Sequence, residues 1–245
     1  MWRWLHPYAK PEATYRLIDK LLPWFAALTA VSLLVGMVWG LAFAPSDYQQ
    51  GDSYRIIYIH VPSAIFSMGA YFGMAVMGAI ALVWQIKTAE WSIPAIAPVG
   101  AAMTAIALFT GAIWGKPTWG TWWQWDDARM MSVLFMFFLF LGYMALRAAM
   151  DTRQKAARAG AILAMVGALN VPLIKFSVDL FTSLHQDASV ITPEGPKMAA
   201  VYLWPLLISS LGHSLLFAAL VMTLMRAEIW TRRAAQIRAR LMTGD

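Results

Sequence analysis

The chain has 245 residues, of which 60% are hydrophobic and only 13% are charged, with a formal net charge of +6. A soluble domain is usually about 45–50% apolar and about 25% charged, and a globule of this size has too little interior to bury the excess. The composition therefore predicts a membrane protein. The basic residues do not form one patch, which argues against a nucleic-acid-binding protein. The absence of cysteine excludes disulfides, thiolate metal sites and thiol–disulfide exchange.

Six apolar runs are each long enough to cross a hydrocarbon core of about 30 Å, which takes about 20 helical residues. Because unpaired backbone groups are costly in lipid, each run is expected to be a helix. Residues 42–44 match a signal-peptidase pattern, but the run before them is too long for a signal peptide, so we expect it to remain in the membrane. The predicted fold class is all-α, a polytopic integral membrane protein with six transmembrane helices in a single domain (1–245). The runs are residues 21–44, 62–85, 93–114, 130–149, 159–181 and 200–225.

The distribution of basic residues between the runs predicts the orientation. Most of the 19 Lys and Arg residues lie before the first run, after the sixth, or in the second and fourth connections. The positive-inside rule places these segments, and hence both termini, in the cytoplasm. The outer segments are then residues 45–61, 115–129 and 182–199. They are polar, irregular and rich in aromatic residues, so we look for function there. The few basic residues of this outer set are Arg55, Lys116, Arg129 and Lys197.

A tryptophan cluster marks the second outer segment. Five of the 13 tryptophans lie in residues 114–125, interleaved with Gly and Pro. An aromatic belt at the membrane–water interface is the alternative explanation, but a belt spreads its tryptophans over many helix ends. If this part is helical, Trp119, Trp122 and Trp123 share one face. Such a face offers broad apolar area with indole N–H groups at its edge, which would suit a porphyrin.

Two of the four histidines flank this cluster in the chain. His60 ends the first outer segment, and His185 follows the fifth run, so both are expected in the same compartment as the tryptophans. Neutral imidazoles are good axial ligands for haem iron, although a single histidine is more often an ordinary interfacial residue. His6 lies among charged residues on the inner side and is interpreted as solvated. His213 lies within the sixth run, either as a functional residue or as a hydrogen-bonded link between helices.

Four charged residues on the outer side allow two interpretations each. Asp126 and Asp127 precede the fourth run, where a carboxylate can cap the helix, or can fix the loop or the N–H of a ligating imidazole. Arg55 and Arg129 can pair with haem propionates or simply with Asp52 or Asp126.

The fifth run contains polar residues that we interpret as structural. Lys175 and Asp179 are four residues apart and can pair on one helix face. Asn170 and Pro172 lie just below this pair and are expected to kink the helix.

Two segments resemble a known family. Residues 114–126, WGKPTWGTWWQWD, closely resemble the tryptophan-rich WWD segment of haem-handling membrane proteins. Residues 43–62, FAPSDYQQGDSYRIIYIHVP, look like those of one branch of that group. On these motifs the chain is identified as a member of the haem exporter protein C (CcmC) family of bacterial cytochrome c maturation, and the similarity runs from Trp2 to the sixth span.

The resemblance implies a cofactor, a location and partners. It implies a b-type, non-covalent haem with bis-histidine ligation, held by the WWD segment (114–129) at the periplasmic face of the bacterial inner membrane. The haem would be presented to a membrane-anchored haem chaperone, maturation protein E. An ATP-hydrolysing complex (maturation proteins A and B), with a small accessory membrane protein (maturation protein D), would later release that chaperone. The iron ligands predicted are His60 and His185, and the cofactor-binding residues are Trp114, Trp119, Trp122, Trp123, Trp125, Asp126, Arg129 and Arg55.

The chain departs from the family pattern at one point. The family usually has one Asp before Ala-Arg, whereas here Asp126 and Asp127 precede Ala128 and Arg129, which leaves open which Asp corresponds to the family's residue. No phosphate-binding glycine loop is present, so we expect a haem-presenting protein and not an enzyme. A cytochrome b-like electron-transfer protein of the membrane is the alternative, although such proteins usually place their ligand pairs within the bilayer. A secondary transporter is disfavoured, since no inverted repeat is evident.

Overall fold

The computed structural model of the chain describes residues 9–181, 183–185, 190, 192 and 195–243. Within these residues the structure is helical and has no β-strand. Six helical segments in the described part of the chain are long and apolar enough to cross a membrane, which confirms the predicted fold class. They are Pro11–Phe43, Asp52–Trp84, Lys87–Trp119, Ala128–Ala149, Arg153–Leu180 and Ala200–Met242.

Two of the spans combine different helix types and one is broken. The first joins a long α-helix to a π-helical turn, the second starts with a 3-10 turn, and the fifth is divided into two helices. In chain order the elements are α1 (Pro11–Val38), the π-helix (Trp39–Phe43), the 3-10 turn (Asp52–Ile56), α2 (Ile57–Trp84), α3 (Lys87–Trp119), α4 (Ala128–Ala149), α5 (Arg153–Gly167), α6 (Asn170–Leu180) and α7 (Ala200–Thr243).

The tryptophan-rich segment lies between two well-defined helix ends. α3 ends at Trp119 because Gly120 follows in the left-handed region with φ +78°, and its N–H donates to the Lys116 carbonyl at 3.1 Å. α4 begins after Asp127, whose carboxylate accepts the N–H of Met130 at 2.9 Å. The connecting loop is therefore residues 120–127, shorter than the predicted outer segment, and the first tryptophans of the cluster belong to α3.

Small residues allow α1 and α7 to pack closely. A Cβ atom added to Gly36 of α1 would lie 2.6 Å from the backbone nitrogen of Ser209 of α7, and one added to Gly212 would lie 2.8 Å from a methyl group of Leu33. Such close backbone approach at small residues is a common way for helices to associate in lipid. The Arg226–Asp19 ion pair (2.9 Å) joins the same two helices further along.

The centre of the bundle is an apolar core between α2, α3, α4 and the fifth span. Tyr71 and Phe140 meet edge-to-face with ring centroids 4.9 Å apart, and both are fully buried. The outer surface of the bundle is also apolar, as expected of a lipid-facing protein. Exposed large side chains on that surface include Val31, Leu34, Phe72, Phe109 and Phe138.

The fifth span is interrupted between α5 and α6. Asn170, at the start of α6, is buried and donates from its side-chain amide to the Ser132 carbonyl of α4 at 2.8 Å, which fixes the position of the break. The predicted kink is therefore present as a break in the helix. Lys175 and Asp179 are both exposed, and no ion pair within 4.0 Å joins these two residues.

The bundle has two chemically different ends. The loop end comprises the described residues of 44–51, 120–127 and 181–199, and the arginine end lies opposite, where α4 ends and α7 extends from the bundle. At the arginine end Glu228 accepts hydrogen bonds from Arg147 and Arg232, both at 2.8 Å. Arg232 also contacts Glu90 at 3.2 Å and lies over the Trp91 ring at 5.1 Å. These contacts connect α3, α4 and α7.

Candidate functional site

The last turns of α3 form the backbone of the candidate site at the loop end. α3 has 33 residues, so it is about 50 Å long at 1.5 Å per residue and exceeds the thickness of the hydrocarbon core. Thr110, Trp114 and Trp119 lie on successive turns of α3 towards the loop end. The two predicted ligand histidines contact this helix from different sides, His60 from α2 and His185 from the chain after α6.

His60 is held against α3 by a hydroxyl group. Its Nδ1 lies 3.1 Å from Thr110 Oγ1, and Thr110 donates its own hydroxyl hydrogen to the Ile106 carbonyl at 2.6 Å. The Thr110 oxygen must therefore accept a hydrogen bond from His60 Nδ1–H, which leaves His60 Nε2 with a free lone pair. The missing side chain of Gly111 allows this close approach, since an added Cβ atom would lie 3.0 Å from His60 Cε1.

Trp114 fixes the other edge of the His60 ring. The two rings meet edge-to-face with centroids 5.6 Å apart, and the indole N–H donates to Gln50 Oε1 at 2.8 Å. Tyr54 packs against the opposite part of the indole, with centroids 6.3 Å apart. Trp114 is thus a structural neighbour of His60 whose N–H already has a partner within the first outer segment.

His185 repeats this arrangement at the end of α3. Its ring meets Trp119 edge-to-face, with centroids 4.9 Å apart. Its Nδ1 lies 3.2 Å from Ser183 Oγ and 3.5 Å from Asp127 Oδ1. Ser183 donates its hydroxyl hydrogen to Asp127 Oδ2 at 2.8 Å, so His185 Nδ1 must be the donor in this group, and Nε2 is again the free nitrogen.

Asp127 connects the start of α4 to His185. Its side chain is only 1% exposed, and it accepts hydrogen bonds from the backbone N–H groups of Met130 and Leu184, at 2.9 and 2.8 Å. Burial raises the pKa of Asp127, but these bonds, the Ser183 hydroxyl and His185 together bring it below its usual value. Asp127 is therefore a carboxylate at neutral pH, and it acts both as the helix cap and as a partner of an imidazole.

The electrostatic surroundings keep His185 neutral. Burial lowers the pKa of His185 below its usual value, the Asp127 carboxylate opposes this shift and Arg129 adds to it. The 3.5 Å contact between His185 and Asp127 is therefore an electrostatic contact between a neutral ring and a carboxylate and not an ion pair. A neutral imidazole is the form that binds a metal. His60 and His185, although far apart in the chain, contact Trp114 and Trp119 of the last turns of α3.

The loop tryptophans are arranged differently from the predicted helical face. Because α3 ends at Trp119, Trp122 and Trp123 lie in the loop and do not continue the helix. Trp122 and Trp125 are exposed, Trp125 to 73%, whereas Trp123 is half-buried and packs edge-to-face on Trp125 with centroids 5.8 Å apart. The Trp123 Nε1–H is buried and has no hydrogen-bond partner in the described structure.

The predicted cationic residues are used within the fold. Arg55 lies 3.3 Å from Asp52 and donates to the Leu41 carbonyl at 3.1 Å, while its Nε is buried without a partner in the described structure. Arg129 donates to the hydroxyl of Ser177 at 3.1 Å and so connects α4 to α6. Asp126 is exposed on the loop. Roles of Arg55, Arg129 and Asp126 towards a cofactor stay predictions.

His213 belongs to a different hydrogen-bond group. His213 is buried in α7, where its Nδ1 donates to the Ser209 carbonyl at 2.8 Å. Ser209 in turn donates its hydroxyl hydrogen to the Tyr58 carbonyl of α2 at 2.6 Å. The bond of His213 therefore lies within α7, and Ser209 is the residue that links the two helices. His6 lies outside the described residues.

Sequence reasoning missed three residues of the site. Thr110 and Gln50 contact His60 and Trp114, and Ser183 contacts His185, yet none belongs to a recognisable motif. The spacing of Thr110 and Trp114, one helical turn apart on α3, is the one signal that could have indicated a shared face towards His60.

Comparison with known proteins extends the resemblance to nearly the whole chain. A family model described as Heme exporter protein C matches residues 4–240. Heme exporter protein C of Haemophilus influenzae is 50% identical over 244 residues, covering 96% of this chain and 99% of that protein. The proteins of the same name from Escherichia coli K12 and Bradyrhizobium diazoefficiens are 48% and 45% identical, over 92% and 94% of this chain and 91% and 86% of their own lengths. By the extent of these matches, the chain belongs to the Heme exporter protein C family.

Proposed function

We propose that this protein holds haem at the loop end of the bundle, between His60 and His185, and delivers it to a haem chaperone during cytochrome c maturation. The observation that supports this most directly is that His60 and His185, from distant parts of the chain, both contact tryptophans on the last turns of α3. Each has its Nδ1 bound to a hydroxyl, and its Nε2 has no partner in the described structure. The names of its relatives, Heme exporter protein C, agree with a role in haem handling.

The residues present fit a haem with two axial histidines. A hydroxyl whose own hydrogen is donated elsewhere accepts from Nδ1 of each ring, so both rings are set in the tautomer that leaves Nε2 for iron. When bound, the haem would supply an iron with two open axial positions and a broad porphyrin face. His60 and His185 would hold the iron, while Trp119 and Trp114 keep their rings oriented.

The loop tryptophans suit the rest of a porphyrin. Trp122 and Trp125 expose apolar rings that can stack on a flat ligand. The Trp123 N–H is a buried donor without a partner in the described structure, and buried donors normally have one, so a propionate carboxylate would satisfy it. Exposed loops also suit a protein that must release its ligand to a partner.

The orientation follows from the charge distribution. With both termini in the cytoplasm of a bacterium, the loop end faces the periplasm, where haem is attached to c-type cytochromes. The partners we propose are the membrane-anchored haem chaperone (maturation protein E), the ATP-hydrolysing release complex (maturation proteins A and B) and the small accessory membrane protein (maturation protein D), within the same lipid bilayer.

The absorption spectrum of the purified protein tests this proposal. Protein isolated in detergent is expected to show a Soret band with a low-spin, six-coordinate spectrum. His60→Ala and His185→Ala are each expected to change that spectrum and to lower the amount of chaperone that becomes loaded with haem in cells. His6→Ala, at a position that the sequence predicts on the inner side, is the control. Equal spectra from all three variants, or no haem in the wild-type protein, would contradict the proposed ligands.

A further inference from the structure

We infer that Asp127 is a positioning residue for His185 and makes it the more strongly electron-donating of the two imidazoles. This inference rests on the proposed function, since it concerns how the two ligands differ. Of the two adjacent aspartates, Asp127 is the one that contacts a proposed iron ligand. Asp127 is buried between α4 and the chain after α6, whereas Asp126 is exposed on the loop.

The carboxylate of Asp127 is held in place by contacts on both of its oxygens. Oδ1 accepts the N–H of Met130 and lies 3.5 Å from His185 Nδ1. Oδ2 accepts the Leu184 N–H and the Ser183 hydroxyl, both at 2.8 Å. Ser183 Oγ in turn lies 3.2 Å from His185 Nδ1. His185 therefore faces a carboxylate directly and also through one hydroxyl.

His60 has a different partner. Its Nδ1 donates to the neutral hydroxyl of Thr110, which donates onward to the backbone carbonyl of Ile106. A negative charge behind an imidazole increases the electron density on its other nitrogen, whereas a neutral hydroxyl does so much less. The two ligands are therefore inequivalent, and His185 is expected to be the one that favours oxidised iron.

Replacement of Asp127 by Asn separates this role from the role of the helix cap. Asn is as good an N-cap as Asp, so the bond to the Met130 N–H is retained while the negative charge is lost. Asp179→Asn removes an exposed carboxylate near the same end of the bundle, outside the proposed site, and is the matched control. Ser183→Ala removes the bridging hydroxyl, leaves the cap unchanged, and serves if Asp127→Asn does not fold.

The measurement is the reduction midpoint potential of the haem that stays bound to each detergent-purified variant. We expect Asp127→Asn to favour ferrous over ferric haem at least tenfold relative to wild type, equivalent to a rise of about 59 mV for a one-electron couple. Ser183→Ala is expected to shift it in the same direction by less, and Asp179→Asn to leave it unchanged. A purely structural role would lower haem occupancy without moving the potential of the bound fraction.

Two outcomes would overturn different claims. If wild type binds haem through both histidines but Asp127→Asn has the same potential as wild type, the inference about Asp127 is wrong and the proposed function stands. If wild type binds no haem, or its spectrum does not depend on His60 and His185, the proposed function fails first.

Discussion

Thr110 and Ser183 determine which nitrogen of each neighbouring imidazole is free. Each hydroxyl donates its only hydrogen to another acceptor, the Ile106 carbonyl or the Asp127 carboxylate, and therefore accepts from Nδ1. The tautomers are thus set by local hydrogen bonds before any ligand binds. Because the rings are oriented in advance, iron binding would cost less conformational entropy.

Acidification of the haem-free protein is expected to loosen the chain around His185. Burial lowers the pKa of His185 in the folded protein, so the ring binds a proton more readily once the chain around it has unfolded locally. The packing around His185 is therefore weakened as the pH falls from the usual histidine pKa towards the lowered one. Asp127 acts in the same direction at lower pH. Its pKa is depressed by folding, so its contribution is present above the usual carboxylate pKa and is lost as the pH falls through the depressed value.

Hydrogen exchange of the Leu184 amide, which donates to Asp127, measures this effect. After correction for the intrinsic pH dependence of exchange, its protection is expected to fall between pH 7.5 and pH 5. The buried amides of α3 serve as the internal control. Unchanged protection over this range would show that the ionisation of His185 does not couple to packing.

The position of His60 and His185 at the loop end could be predicted from the sequence, but their environments could not. His60, His185 and the tryptophans were found from the WWD resemblance and from their position at span ends. Thr110 and Ser183 are ordinary residues whose roles depend on how α2, α3 and the chain after α6 meet. That geometry arises from tertiary packing, which a single sequence does not specify.

At the scale of elements, all six spans were predicted, and the differences lie at their ends. Trp119, Trp122 and Trp123 would share one face if the tryptophan cluster were helical, but Gly120 ends α3 after Trp119. A glycine at this position is a common C-cap signal, so the loop could have been inferred from the sequence. The fifth span was expected to kink at Asn170, and the structure shows a break into two helices.

Gly36→Ala is expected to destabilise the packing of α1 on α7. The added methyl group would lie 2.6 Å from the backbone nitrogen of Ser209, and backbone cannot move aside as a flexible side chain can. Overpacking of this kind typically costs about 1–3 kcal/mol. The measurement is the thermal aggregation midpoint in detergent, which is expected to fall.

Gly69→Ala in α2 is the matched control for this substitution. Apart from its chain neighbours and the backbone of its own helix, no described atom lies within 4 Å of the position that its Cβ would occupy, and alanine favours a helix over glycine by about 1 kcal/mol. Its midpoint is therefore expected to stay the same or rise. Equal falls for both variants would show that the α1–α7 contact is not the cause.

At the scale of the whole molecule, the two ends of the bundle differ in their contacts in the way that the proposed function requires. The arginine end is held by ion pairs around Glu228 that connect three helices. The loop end instead has exposed aromatic rings and unpartnered buried donors, the Trp123 and Arg55 N–H groups, within the described structure. Rigid contacts at one end and free binding groups at the other are what a platform for a transferable ligand requires.

The absence of cysteine allows a direct test of which end faces the periplasm. Tyr48 at the loop end is 89% exposed, and Leu241 beyond the arginine end is 78% exposed. Each is replaced by Cys in a separate variant and treated in spheroplasts with a membrane-impermeant maleimide. Because the positive-inside rule places the arginine end in the cytoplasm, Tyr48→Cys is expected to react at once and Leu241→Cys only after lysis. The cysteine-free wild type gives the background signal. The reverse pattern would put both histidines on the cytoplasmic side, away from any periplasmic chaperone.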